Sequence, residues 1–330
     1  MILLAAAQFV RAQAGGDAGS LVRDVSAVAL AAKTWRAEGT LVRRGADGKD
    51  DPPLKFRMAF QLPRYARYEV SGGDLPFLRI CDGQAQRTYY PDLKGFVRVI
   101  LPQIGPCAYP LNAWPPLAQT LAFPALSGTD TITVDGHPQP CQIVRAALTW
   151  SSRDPAVKET VTLCIDREHK RILRYQLQHS NPAPAWAETY TFSLLEIDPT
   201  LEQKLFDFQA PEGSRPFATI DWLTPIAGIP AGVFQVSNAV SAPILTDLVP
   251  PLTPSDAALV EGGNTVLLHV QIGRDGVPRG IEVIRSLGQG MDEAAVNSVK
   301  QWRFKPGENA AGPAPVAATI YVHFMQTMAK

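Results

Sequence analysis

The alternation of apolar and polar positions is cleanest near the C-terminus. In Thr265 to Ile272, Val266, Leu268, Val270 and Ile272 share one face and Leu267, His269 and Gln271 the other, which predicts a half-buried strand. Gly273-Arg274-Asp275-Gly276 supplies a turn, and Gly280 to Ser286 returns with Ile281 and Val283 on one face. The period then changes. Met291, Ala295, Val299 and Trp302 form one stripe of a helix, with acids in its first turn and Lys300 and Arg303 in its last, both favourable to the helix dipole. Phe304 and Pro306 end it. A final strand, Ala318 to Phe324, alternates Ile320, Val322 and Phe324 against Thr319, Tyr321 and His323. With a capped helix at Thr253 to Val260, closed by Gly262-Gly263, the segment predicts a small αββαβ unit.

Upstream the pattern is mostly of period two. Ser20 to Lys33 suits a short amphipathic helix. Extended runs follow at Trp35 to Arg43, around Phe56, Met58, Phe60 and Leu62, and at Tyr65–Val70, Phe77–Cys81, Arg87–Tyr90 and Phe96–Leu101. Prolines 110, 115, 116 and 124 around Leu111, Trp114, Leu117 and Leu121 suggest short helices between Tyr109 and Leu126. Strands resume at Thr131–Val134, Cys141–Trp150, Glu159–Ile165, Ile172–His179 and Glu188–Ile197. The class is therefore α+β: a large curved antiparallel sheet covered by short helices, then the small αββαβ unit. Scattered prolines from Arg215 onward predict a semi-extended linker. The expected division is a leader at 1–14, a sheet domain at 20–214, a linker at 215–242 and a C-terminal domain at 243–330.

Composition adds little and charge excludes one class. Basic and acidic residues number 31 each, and the balance persists from Leu252 to Lys330 at seven of each sign. No basic face points to nucleic acid. The opening MILLAAAQFVRAQA combines a short apolar run with Ala12-Gln13-Ala14, the small-x-small form of a signal-peptidase site. The basic segment that normally opens such a leader is missing, so the true start of translation is expected upstream; the other reading is a short helix opening the first domain. The expectation is an exported, soluble, periplasmic protein. Four cysteines permit three pairings. Cys141 and Cys164 sit in consecutive strand-like runs and can face each other across a hairpin, which leaves Cys81 with Cys107. Four buried free thiols are the alternative, and the wide spacings with no CxxC pair argue against zinc.

The C-terminal module resembles the TonB C-terminal domain. The resemblance rests on Val266-x-Leu268-x-Val270 with Asp275-Gly276, on Val283 with Ser286, on Met291-Asp292 to Ala295, on Val299-x-x-Trp302-Arg303-Phe304-x-Pro306 and on Ile320-x-Val322-x-Phe324. It departs from the family at Val249-Pro250-Pro251-Leu252, where a tyrosine-proline element is usual, and in showing neither a membrane anchor nor a long proline-rich spacer. Over about 27–214 the chain resembles the LolA/LolB-like lipoprotein carriers, through Ile80-Cys81-Asp82-Gly83 with Thr88-Tyr89-Tyr90-Pro91, Thr162 to Asp166 with Ile172 to Tyr175, and Leu205 to Gly213.

The first resemblance implies binding without chemistry. An extended peptide of an outer-membrane transporter, or of another envelope protein, would add as a strand along Thr319, Ile320, Tyr321, Val322, His323 and Phe324. The second implies a rival function, a lipid or lipoprotein carrier or sensor with an acyl chain held in the first domain, near Phe56, Met58, Phe60 and Leu62. A purely structural envelope protein is the third reading. No GxSxG, HExxH or phosphate-loop pattern is present, and the five histidines are scattered, so neither an enzyme nor a cofactor is expected.

Overall fold

A computed structural model describes residues 18–73, 76–100, 117–148, 158–181, 185–254, 264–288 and 290–324. The leader at 1–14, Cys107, the first part (109–116) of the expected helical stretch at 109–126, and all but the start of the helix at Thr253–Val260 lie outside them. Helix α1 occupies 18–31. Strands follow as β1 (Thr34–Arg44), β2 (Leu54–Gln61), β3 (Tyr65–Ser71), β4 (Phe77–Asp82), β5 (Ala85–Tyr90) and β6 (Gly95–Ile100). After the short α2 (Leu117–Thr120) come β7 (Leu121–Val134), β8 (His137–Leu148), β9 (Lys158–Asp166), β10 (Arg171–Asn181), β11 (Trp186–Ile197), β12 (Arg215–Asp221) and β13 (Ile244–Asp247). The C-terminal elements are β14 (Thr265–Ile272), β15 (Pro278–Arg285), α3 (Met291–Gln301), β16 (Arg303–Lys305), β17 (Gly307–Asn309), β18 (Gly312–Ala314) and β19 (Val316–His323). No described helix is long and apolar enough to cross a membrane.

Two compact units divide the chain elsewhere than expected. The first comprises residues 1–62, 67–76 and 109–202, and the second 63–66, 77–108 and 203–330. The second is therefore assembled from two distant stretches, because β4, β5 and β6 pair onward into the C-terminal strands and not only among their sequence neighbours.

In the first unit the strand order is β3-β2-β1-β11-β10-β9-β8-β7. Its core is aromatic. Phe56 meets Tyr190 and Phe192 edge-on, each at 5.6 Å, and Trp35 meets Phe60 at 5.0 Å. Such pairs add to area burial through the ring quadrupoles. Phe56, Met58 and Phe60 are at most 3% exposed. The apolar stripe of α1, Val25, Val28, Ala29 and Ala32, lines a small cleft with Trp35, Leu195 and Ile197. Cys141 and Cys164 are disulfide-bonded across β8 and β9, with Cα atoms 5.4 Å apart, beside Ile132, Val134 and Leu173. Cys81 is also disulfide-bonded.

Part of the expected helical stretch is extended. From Leu121 onward the chain is β7, and Pro124 sits where the β7–β8 register slips between Ala122 and Ala125, with Phe123 at φ 53°. A proline without an N–H fits a strand at such a bulge.

The second unit orders its strands β15-β14-β19-β12-β6-β5-β4. All neighbours are antiparallel except β12 on β6, which is parallel, so the strand from the expected linker makes this unit's sheet mixed. Helix α3 packs on β14 and β15. Val266, Leu268, Val270, Ile272, Ala295, Val299, Trp302, Ile320 and Val322 are 0–1% exposed and form the core. The segment where the chain departs from the family pattern is anchored there: the Val249 carbonyl accepts from Trp302 Nε1 at 2.9 Å and from Ser298 Oγ at 2.6 Å. Burying large apolar groups at ~1.5–3 kcal/mol each explains why this module holds its shape.

Candidate partner-docking edge

Strand β19 carries Thr319 to His323 of the residues expected to receive a partner, and Phe324 follows it directly. Its inward side chains, Val316, Ala318, Ile320 and Val322, are fully buried, and on the other face Ala317 and Thr319 are only 4% and 2% exposed. Burial on both faces marks an interior strand. One flank pairs with β14 from Thr265↔His323 to Ile272↔Val316. The other is not free, contrary to expectation. Ala218, Thr219, Ile220 and Asp221 of β12 pair with Val322, Tyr321, Ile320 and Thr319. Beyond β12 the chain returns: Phe234 N–H donates to the Pro315 carbonyl at 2.9 Å, and Ala317 N–H donates to the Phe234 carbonyl at 2.8 Å. Own-chain segments thus cover this flank from Pro315 to Val322.

The segment expected to be a linker therefore contains the strand that fills the edge. Phe217, Ala218, Ile220, Asp221 and Trp222 are all 7% exposed or less. Phe217 lies over Gly95, where an added Cβ would sit 2.2 Å from its ring, so the glycine is what lets β12 approach β6. Asp221 closes the strand by accepting from Leu223 N–H at 2.8 Å, Thr224 N–H at 3.1 Å and Thr224 Oγ1 at 2.7 Å.

Sequence reasoning missed β12. Its signal was a run of buried types, Phe217-Ala218-Thr219-Ile220, set among prolines that suggested loop.

His323 spans three strands. Its Nδ1 is 3.0 Å from Thr265 Oγ1 on β14, and its Nε2 is 3.2 Å from Thr219 Oγ1 on β12. A neutral imidazole donates with one nitrogen and accepts with the other, and a hydroxyl meets either need. His269 is no neighbour: it pairs with Thr319, four positions along β19 from His323. Burial, and then the Arg285 guanidinium, hold the His323 imidazole below its ordinary pKa. The unfolded chain then binds the proton more readily than the folded one. Stability from the neutral ring is fully present above the unfolded value of ~6.5 and is lost as pH falls through the lowered folded value. Amide protection factors across β12 and β19, corrected for the intrinsic pH dependence of exchange, are expected to fall over that window in the wild type and to lose that pH response in His323→Phe. An unchanged response in the variant would assign it elsewhere.

Among the described residues, Thr319 Oγ1 and Trp222 Nε1 at the seam are buried and find no hydrogen-bond partner. Each such atom costs roughly 1–3 kcal/mol. The far end of the sheet differs. Strand β15 ends the order, but its pairing with β14 slips between Leu267 and Leu268 and again between His269 and Gln271. Pro278, and Gly280 at φ 53°, disturb it further. Bulges, prolines and charges are how sheets blunt an edge against added strands. Among the described residues no group of three or more His, Cys, Asp or Glu side chains could hold a metal ion.

Residues 252–325 match the family described as Gram-negative bacterial TonB protein C-terminal. No curated protein matches the chain. Among solved structures, it is similar to a LolA superfamily protein from Nitrosomonas europaea, at 9% identity over 58% of this chain and 97% of that one, TM-score 0.27. A putative outer membrane lipoprotein-sorting protein domain from Vibrio parahaemolyticus is 12% identical over 58% and 97%, TM-score 0.28. The Pseudomonas aeruginosa MucA/MucB complex gives 12% identity over 92% and 93%, TM-score 0.35.

Proposed function

We propose that this chain is a periplasmic, TonB-family partner-binding protein that captures an extended envelope peptide by strand exchange along β19. The incoming strand takes the place that β12 holds. One observation carries the reading: the flank of β19 that would accept a peptide is filled by a strand from another part of the same chain. The resident is held to β19 by a short ladder of four residue pairs, with the Phe234 contact beyond it, and to β6 by a parallel ladder of six pairs that an incoming strand would also have to reproduce. Main-chain hydrogen bonds are the same for any strand, so exchange conserves them, and the outcome depends on side chains and on the tether. The buried unmet atoms at Thr319 and Trp222 weaken the resident arrangement, and the disturbed β15 edge offers a poor alternative. The acyl-carrier reading gains no such support, since Phe56 and Phe60 are engaged in ring packing with Tyr190, Phe192 and Trp35.

The test is a reversible lock. Ala218→Cys with Val322→Cys places two thiols at directly paired positions on β12 and β19. Extended N-terminal peptides of outer-membrane transporters are titrated against the full chain. Binding is expected when the added pair is reduced and at least tenfold weaker when it is oxidised. Equal binding by the locked form would move capture to another edge, and no binding by the wild type at millimolar peptide would end the reading.

A further inference from the structure

Resting on the exchange reading, we infer that His323 selects the incoming strand for a hydroxyl side chain at the position now held by Thr219. The captured segment would then follow the local form of the resident: a small apolar residue, Ser or Thr, an aliphatic residue, then Asp, as in Ala218-Thr219-Ile220-Asp221.

The geometry of the face sets this requirement. His323 has one ring nitrogen engaged by Thr265, which belongs to the TonB-type domain and stays in place during exchange. The other nitrogen reaches out of that domain to the arriving strand, where Thr219 Oγ1 now lies at 3.2 Å. A hydroxyl satisfies this nitrogen in either tautomer. Valine has almost the same shape but leaves a half-buried ring nitrogen without a partner. A lysine or arginine at the same place would meet Arg98, the residue paired with Thr219 on β6, and Arg285, whose charge already acts on the imidazole.

The flanking positions follow from alternation. Ala218 and Ile220 are fully buried opposite Val322 and Ile320, so an incoming strand must offer apolar residues there, and a small one at the first. Asp221 ends the strand by accepting from the amide N–H groups two and three residues on, Leu223 and Thr224, which any exchanged segment that turns away at this point would also need. His323 is thus a specificity-determining residue, and the resident strand is a template for the ligand.

The experiment uses the full chain and synthetic peptides with the sequence of Gly213–Thr224, carrying Thr or Val at the position of Thr219. Labelled peptides are followed by fluorescence anisotropy. The tethered β12 competes, so apparent affinity for the wild type is reduced by the fraction of molecules that are open. Thr219→Val in the protein weakens the resident and is expected to raise affinity for the Thr peptide about tenfold, the size of one orphaned hydrogen bond. The Val peptide is expected to bind about tenfold more weakly than the Thr peptide. His323→Phe is expected to abolish that discrimination while retaining binding. A Val peptide binding as well as the Thr peptide would overturn the role of His323 and leave exchange standing. No binding of any peptide, to the wild type or to Thr219→Val, would overturn exchange and this inference together.

Discussion

Trp302→Ala is expected to lower the stability of the second unit by about 3–5 kcal/mol, the range for deleting a large buried aromatic side chain. Trp302 is fully buried at the end of α3, with its ring centroid 6.4 Å from that of Phe304. The loss is mainly one of packing. Although the indole N–H donates to the Val249 carbonyl, that carbonyl also accepts from Ser298 Oγ and keeps a partner in the variant. Trp302→Phe, which preserves much of the volume, should therefore recover more than half of the loss. Urea midpoints read through hydrogen exchange of the β14 and β19 amides would follow this unit alone, which matters because two units need not unfold as one. A loss under about 1 kcal/mol for the alanine variant would show that the module does not depend on this side chain.

Gly276→Ala is expected to have an effect of similar size, above about 3 kcal/mol, for a different reason. Gly276 sits at φ 74° in the turn between β14 and β15. Its carbonyl accepts from Phe304 N–H at 2.9 Å, and a Cβ built on it would lie 1.7 Å from the Phe304 carbonyl oxygen. That obstacle is main chain and cannot rotate away, so the turn or the β16 segment must shift. Gly48→Ala provides the comparison. It shares the left-handed backbone, at φ 75°, but has nothing within 4 Å of its new Cβ. It should cost only about 1 kcal/mol, the conformational part alone. If the two variants lost equal stability in denaturant titrations, the contact between the hairpin turn and β16 would carry no weight.

These two positions also show what can be read from a sequence and what cannot. The periodicity from Val266 to Phe324 predicted β14, β15, α3 and β19: β14 and α3 each bury one stripe, whereas β15 is mostly exposed and β19 is buried on both faces, so only its alternation of types was local. The Asp275-Gly276 turn and the Trp302 stripe were legible for the same reason. So was the Cys141–Cys164 pair, since sequence-adjacent strands form a hairpin. The neighbour of β19 was not legible. Its partner lies about a hundred residues upstream, and pairing at that separation leaves no trace in either strand's own pattern. The prolines around Arg215–Asp221 added to this by matching loop composition, as Pro124 did for the start of β7. Of the candidate edge, the strand itself was legible around residues 319–323, but not that the flank beside it is filled.

The discontinuity of the second unit has a consequence for the chain as it leaves the ribosome. β4, β5 and β6 are made early, yet β6 gains its second neighbour only when residues 215–221 appear, more than a hundred residues later. Until then Phe96, Val97 and Val99 form the rim of an unfinished sheet, at synthesis rates of roughly 5–20 residues per second. Distant pairings of this kind close slowly and leave strand rims open to other nascent chains. The interval between β6 and β12 is therefore when the polypeptide most needs a holding chaperone, and truncations ending between 101 and 214 are the forms most prone to aggregate.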